Sequence, residues 1–469
     1  MVLIILMTNN RILNEPMIKN KKSLTSHGCR KAREICAQII EHALEAVDPY
    51  RATLDALCLT DDILVVDGRP YDLSKIDNIY VVGAGKATFR QALALDELLN
   101  ERITRGLVAV KYGQKEDLIH IRVMEAAHPV PDSNSFKAST EIMAVAEKAG
   151  PNDLVFCLMS GGCSSTCVSP VHGISAEDKI TLNHLMVHCG AQVTEIMSVR
   201  RHLSRIKGGR LAEIIAPAAC ITLTVSDAIG DPLEWNTDWT HPDSSTFEES
   251  VDILKKYDLW DKIPAGVRQY FSSFSQEKET PKSFPNYNIQ YLMTVKTETL
   301  WRAAVEKAQA LGLDARLMST LIKGESREVG RVLTCLAKET LLSGNPAQPP
   351  CALISIGETG VRVSGKPKGR GGANQELACG ACLDLEPDDP IVIAAIDTDG
   401  TDGPTDLAGA MVDGSTLIRA KEKGIDFYRT LMEHDSSFLL ESTEDAIITG
   451  HTGSNVNDMM ICVILPPEK

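Results

Sequence analysis

Short unbroken apolar runs alternate with segments of helical periodicity along most of this chain. NIYVVGAGKATFRQALALDELL (78–99) reads as a strand, a glycine turn and a helix. LVFCLMSGGCSS (154–165) reads as a strand ending in a glycine–serine turn, and ACITLTVSDAIGDP (219–232) as a strand ending in an acidic one. IQYLMTVKTETLWRAAVEKAQALG (289–312) predicts a strand and then a helix that Gly312 stops. CALISIGETGVRV (351–363) and PIVIAAIDTDG (390–400) are further strands, being short and apolar between turn signals. Residues 30–48 predict an amphipathic helix with Ala32, Ile35, Ile39, Ile40 and Ala43 on one face. This alternation argues for an α/β fold with largely parallel sheets. Polar, proline-bearing stretches near 273–290 and at 341–350 read as linkers. The expected organisation is a flexible segment 1–34, a first α/β domain over 35–285 and a second over 286–469.

The chain of 469 residues is long enough for two or three domains, and 43% hydrophobic residues suffice for sizeable cores. A net charge of −15 argues against nucleic acid or an anionic membrane as the main partner. No apolar run approaches the length of a membrane span. Thirteen cysteines, an odd number scattered through apolar segments, point to a reducing compartment, with the cytoplasm as the expected location. The basic segment before Arg33 leaves a mitochondrial transit peptide open, although it is poorly formed as one. Cys379 and Cys382 form a C-x-x-C, but no second pair follows at zinc spacing, so small core residues are the simpler reading.

In an acidic protein that handles anions, basic residues must be placed locally, and several sit beside glycines at strand ends. Lys86 follows Gly83 and Gly85, ahead of a helix whose N-terminus favours an anion. Thr88 stands where a dinucleotide fingerprint has its third glycine, and the Walker A spacing is absent. Ser160, Gly161, Gly162 and Ser164 offer amides and hydroxyls to a phosphate or carboxylate, or simply make a tight turn. Arg200, Arg201, Arg205, Lys207 and Arg210 crowd one segment; read as a helix, it brings Arg200 near Ser204 and Lys207, and a solvated basic face is the alternative. Asp227 and Asp231 suit a general base or metal ligand, or an Asx turn capping the next helix. Lys366, Lys368 and Arg370 among Gly369, Gly371 and Gly372 suit a phosphate clamp. Asp397, Asp399, Asp402 and Asp406 crowd the last of these strand ends. Asp402 and Ala408 stand where a calcium loop has glycine and glutamate, so an EF-hand is excluded, whereas Mg²⁺ shared with substrate phosphates is not.

Eight motifs in order, VVGAGKA, HPVPD (128–132), SGGCSS, VRRHLSRIKGGRLA, SDAIGDP, GRGGANQE, DTDGTDGPTDLAGA and TGSNVND (452–458), resemble the MOFRL-type glycerate 2-kinase family, some of whose members are labelled hydroxypyruvate reductases. The resemblance spans roughly 35–460. It implies a Rossmann-like first domain, a MOFRL-type second domain and an active-site cleft between them. It also implies phosphorylation of D-glycerate to 2-phosphoglycerate with ATP and Mg²⁺, and it admits a homodimer. Carried over, it makes Lys86 and Asp227 catalytic, with Arg370 in support. Gly83, Gly85, Ser160, Gly161, Gly162, Ser164, Arg200, Lys207, Gly371, Gly372, Asn374 and Glu376 become substrate or nucleotide contacts, and Asp397 and Asp399 metal ligands.

Three departures fall in these loops. Ala373 stands where the family has an arginine, with Arg370 three residues away to compensate. Cys163 replaces a glycine, and NTDWTHPD (236–243) replaces a Ser-Gly-Pro-Thr stretch. A catalytically impaired relative that binds a phosphorylated metabolite therefore stays open, as does a nicotinamide-dependent hydroxypyruvate reductase.

Overall fold

The computed structural model describes residues 17–363 and 369–467. Lys366, Lys368 and the opening apolar run lie outside the described residues. The chain forms two compact units, Pro49–Val295 and a second made of Met1–Asp48 with Lys296–Lys469.

In the first unit a small antiparallel meander comprises β1 (Leu57–Thr60), β2 (Ile63–Val66) and β3 (Arg69–Asp72). The main sheet comprises β4 (Ile79–Ala84), β5 (Ile103–Lys111), β6 (Ile121–Ala126), β7 (Leu154–Met159), β8 (Ala219–Val225) and β9 (Ile289–Val295). All six strands are parallel, in the order β6-β5-β4-β7-β8-β9. That is the doubly wound order of dinucleotide-binding folds, and it reverses between β4 and β7. Both of these strands are buried on both faces, which explains their unbroken apolar sequences. Val81, Phe156 and Leu158 pack to one side with the helix Thr88–Leu99, while Val82, Val155 and Cys157 pack to the other with the helix Ser133–Ala146.

The second unit holds β10 (Asp314–Ile322), β11 (Cys351–Gly357), β12 (Ile391–Asp397), β13 (Gly409–Asp413), β14 (Ala446–Ile447) and β15 (Asp458–Ile464), in the order β10-β11-β15-β12-β13-β14. Only β10 and β11 run parallel; every other pairing is antiparallel. The expectation of two largely parallel sheets is thus corrected for this unit. β13 returns directly beside β12, and β15 inserts between β11 and β12, which neither periodicity nor turn spacing revealed.

The units also meet the chain at other places than expected. β9 pairs with β8, so the first sheet runs to Val295, past the polar stretch read as a linker. The helix Arg30–Ala46, assigned from sequence to the first domain, groups with the second unit and packs on the helix Thr297–Ala310. Nor is 17–34 a loose segment. Arg33, fully buried, bonds Asp413 (2.5 Å) and Asp445 (2.7 Å), and Asn20 bridges Ala446 and Ile448. Cys379 and Cys382 lie buried on the helix Ala373–Cys382, as core residues. Gly330 and Gly380 let that helix approach the helix Ser326–Ser343, since a Cβ at either would strike the other's backbone at 2.0–2.2 Å. No helix among the described residues is long and apolar enough to cross a membrane.

Candidate functional site

In a doubly wound sheet, ligands bind beyond the carboxyl ends of the strands where the order reverses. Lys86 follows β4, and the Ser160–Ser165 turn follows β7, so both sit at that point. The backbone of the Lys86 turn is nevertheless committed to its neighbours. Gly85 N donates to Ala109 O, Lys86 N to Gly161 O (2.8 Å) and Ala87 N to Ser160 Oγ (3.0 Å). The glycines serve packing: a Cβ on Gly83 would meet Leu158 O at 2.4 Å, and one on Gly85 would meet Ser160 Oγ at 2.2 Å. This departs from the expectation that the turn opens its amides to a ligand. This turn therefore brings an anion the charge of Lys86, not its backbone amides.

Gly162 is left-handed (φ +87°), and its open side is flanked by Lys86 and His128, each about 3.1 Å from where a Cβ would lie. His128 stood in the HPVPD motif, but the sequence reading gave it no role. Asp132 of that motif caps the helix Ser133–Ala146. Cys163 begins the short helix Cys163–Thr166 and is absent from the positive-φ positions, so this position does not need the family's glycine.

The basic segment is not one helix. The helix Val193–His202 ends, a turn with left-handed Gly208 and Gly209 follows, and the helix Arg210–Ile215 begins. The helical spacing expected for Arg200, Ser204 and Lys207 therefore does not apply. Lys207 Nζ instead lies 2.8 Å from Ser164 Oγ and 2.9 Å from Asp238 Oδ2. Arg201 Nε bonds Asp238 Oδ1 (2.7 Å), and its Nη1 reaches Asp243 (2.9 Å) and Glu234. Asp238 and Asp243 come from the NTDWTHPD stretch, so the third departure supplies the counterions of the basic segment. Burial would raise the Asp238 carboxyl, but Lys207 and Arg201 hold it below its ordinary range. Lys207 in turn stays charged, because Asp238 outweighs its burial.

Arg200 turns away to Asn183 (3.1 Å), and its carbonyl accepts from buried Lys179. Burial, then the charges of Arg200 and Lys207, push the Lys179 amine well below its ordinary value. Arg205 is exposed, while Arg210 bonds the carbonyls of Ser204 and Lys278. Asp227 is half-buried beyond β8. It caps no helix, since the helix Leu233–Asn236 has no side-chain cap. It follows β8, which pairs with β7, and the turn after β7 carries Cys163 and the Ser164 that Lys207 reaches.

The second unit gathers acids. Asp402 accepts from the amides of Asn374 (3.2 Å) and Gln375 (2.8 Å), closing the N-terminus of the helix Ala373–Cys382. Two amides that a phosphate clamp would use are therefore taken by a carboxylate. Gly372 makes room for it, since a Cβ there would lie 2.2 Å from Asp402 Cγ; Gly371 likewise accommodates Ser436. Arg370 is exposed, with its amide bonded to Asp435. Glu376 is buried and pairs with His434 (2.6 Å), which makes it an internal partner in this structure. Asp399 Oδ1 accepts from the amide (2.7 Å) and hydroxyl (2.6 Å) of Thr401, and Asp397 Oδ1 accepts from the Asp399 amide. The loop before β15 is stitched to this turn through Thr452, Val456 and Thr398. Asp458 opens β15, and burial, then Asp397 and Asp402, push its carboxyl well above the ordinary range. Among the described residues no three His, Cys, Asp or Glu side chains are placed to hold a metal together.

Burial also raises Asp402, to about 6, against the amide bonds that favour its charge. In the unfolded chain such a carboxyl titrates near ~3.9. Between those values the folded protein holds a proton that the unfolded chain has lost, so stability falls as pH rises from about 4 to 6. Urea unfolding of the wild type across that window is expected to show the decline, and Asp402→Asn to flatten it. An unchanged slope in the variant would sink this assignment.

Family models match residues 35–272 (domain of unknown function, DUF4147) and residues 351–458 (MOFRL family). The chain is similar to a glycerate 2-kinase of Pyrococcus horikoshii, 37% identical over 92% of this chain and 97% of that one. It is 35% identical to an Agrobacterium vitis protein with a provisional hydroxypyruvate reductase name, over 92% of this chain and 94% of that one. A crystal structure of a glycerate kinase from Thermotoga maritima superposes with a TM-score of 0.78 at 36% identity, covering 92% of this chain and 99% of that one.

Proposed function

Because the chain belongs to the MOFRL-type glycerate 2-kinase family, we infer that it transfers a phosphoryl group from ATP to D-glycerate, giving 2-phosphoglycerate. The observation that carries this reading is the cationic side-chain group at the strand-order reversal, Lys86 and Lys207, with half-buried Asp227 at the end of the neighbouring strand β8. Phosphoryl transfer depends mainly on positioning and on neutralising charge, which such a group supplies. In this reading Lys86 neutralises the substrate carboxylate or the moving phosphoryl group. Ser164 and the Gly162 turn orient an anion, with Lys207 held in place by Asp238. Asp227 takes the proton from the attacking hydroxyl oxygen of glycerate.

The reading calls for Mg²⁺, and the donors fit it. Mg²⁺ uses one or two carboxylates together with substrate phosphates. The β12 end presents Asp397 and Asp399, and Asn374, whose amide bonds Asp402 of the same turn, keeps its Oδ1 buried without a hydrogen-bond partner. An ion held there would supply positive charge to phosphate oxygens.

The reductase alternative is weaker on a specific observation. The amides that would cradle a pyrophosphate after β4 bond Ala109, Gly161 and Ser160 instead. The impaired-relative alternative loses two of its three grounds. Cys163 needs no left-handed backbone, and NTDWTHPD supplies the Asp238 that holds Lys207. Ala373 remains the third. Purified protein with D-glycerate and Mg-ATP is expected to release ADP without NADH oxidation by hydroxypyruvate. Ala373→Arg is expected to change the rate far less than loss of a transition-state arginine, about 10³-fold, would imply. Turnover only in the variant would mean that the wild type has lost its phosphoryl clamp; silence from both would end the kinase reading.

A further inference from the structure

The helix Ala176–His188 carries His184 and His188 one turn apart, and both are exposed. Residues i and i+4 are neighbours on one helix face. Their rings lie side by side, with centroids 4.1 Å apart and planes 26° from parallel. Neither ring belongs to the group assigned above to phosphoryl transfer. His188 Nδ1 lies 2.7 Å from the His184 carbonyl oxygen. A carbonyl only accepts, so Nδ1 carries the proton of the neutral ring and Nε2 keeps its lone pair. Metal-binding histidines are oriented in this way, the nitrogen away from the metal donating to a carbonyl, a carboxylate or water.

The His184 ring makes no hydrogen bond to a described residue, so it is free to turn its own Nε2 toward that of His188. His188 is also the last residue of the helix, where the C-terminal carbonyls favour a cation. The same helix reaches the basic segment. Lys179 Nζ bonds the carbonyls of Arg200 (3.2 Å) and Leu203 (3.3 Å), and Asn183, next to His184, accepts from Arg200 Nε (3.1 Å). An ion bridging the last turn would therefore hold the stretch on which Arg200 is seated.

We propose that His184 and His188 together bind one divalent transition-metal ion of the kind that prefers imidazole, copper or zinc, through Nε2 of each ring, and that the ion locks the C-terminal turn of this helix. Water fills the rest of its coordination, so the ion is exchangeable rather than resident. Mg²⁺ prefers oxygen ligands and does not compete for the pair. The site stands apart from the kinase reading and survives or fails without it.

The test adds Cu²⁺ held by iminodiacetate, a chelate that leaves positions open to imidazole and keeps the ion from thiols, to the full chain and follows it by electron paramagnetic resonance. The wild type is expected to bind one chelate with coupling to a pair of imidazole nitrogens. Zn²⁺ should compete with it, and excess Mg²⁺ should not. His184→Gln and His188→Gln should each weaken binding by about 10²-fold, the avidity lost when one of two linked ligands is removed. Both positions are exposed, so the variants should melt close to the wild type. Amide hydrogen exchange over 184–190 should slow on binding in the wild type and not in the variants, because an ion that binds only the formed turn opposes its opening. A single-imidazole spectrum in the wild type, or tight binding that survives both substitutions, would overturn the paired site. Paired binding with unchanged exchange would overturn the lock.

Discussion

Lys86→Met is expected to lower kcat/KM for ATP-dependent phosphorylation of glycerate by about 10³-fold or more, the scale of a lost charge on a transferring phosphoryl group. The substitution keeps the aliphatic stem and removes the ammonium. The Lys86 amide is anchored to Gly161 O at 2.8 Å, so the turn survives it. Lys86 is only half-buried, and a melting temperature close to wild type is therefore expected. The split of the loss identifies the partner of the charge. A fall in kcat with KM unchanged means that Lys86 acts on the moving phosphoryl group; a rise in the KM for glycerate with kcat unchanged means that it holds the carboxylate. Lys86→Arg should restore only part of the activity, because a planar guanidinium does not replace a compact ammonium in a tight turn. A loss of less than about tenfold would remove Lys86 from the catalytic group, since a positioned charge in a shielded site is worth more than that.

Asp238→Ala is expected to cost about 3–5 kcal/mol of stability, the range for breaking a buried ion pair by removing one partner. Asp238 is 1% exposed and satisfies both Arg201 Nε and Lys207 Nζ. Its removal leaves Arg201 with Asp243 and Glu234 but strands the Lys207 ammonium beside Ser164. Urea unfolding at neutral pH measures the loss. The pH dependence has a definite sign. Asp238 has a folded pKa below that of the unfolded chain, so its contribution is complete above roughly pH 4 and is lost as pH falls through the folded value. The gap between wild type and variant should therefore narrow in acid. A gap under ~1 kcal/mol, or one that widens in acid, would show that this network does not carry the basic segment.

Much of the first unit was legible from sequence. The runs before Lys86, Ser160 and Asp227 are short, apolar and glycine-punctuated, which is local information, and each became a parallel strand ending at the same sheet edge. That Lys86 and the Ser160–Ser165 turn lie together was not legible, because it depends on the strand order that sets β4 beside β7. The glycines were harder to read. Gly83, Gly85 and Gly372 suggested close approach of a ligand, whereas the close approach is by Leu158, Ser160 and Asp402. A glycine in sequence shows that something comes near the backbone but does not identify it.

Charge partners were the least legible. Lys207 finds Asp238, 31 residues onward, in the stretch that departs most from the family pattern. A search for acids able to neutralise five clustered bases was the signal that would have found it. Arg33 finds Asp413, 380 residues away, and so ties the amino-terminal helix to the second unit.

By itself the sequence determined the elements of this protein: where strands begin, where glycine turns interrupt them, and which charged residues stand at their ends. These follow from side-chain periodicity and backbone stereochemistry over a few residues. Only the tertiary structure decided the antiparallel order of the second sheet, the unit to which the first helix belongs, and the pairing of Asp397 with Asp458, because those depend on which distant segments share a face. Register across a sheet is set by burial of whole strands, and no local pattern in either strand records its partner.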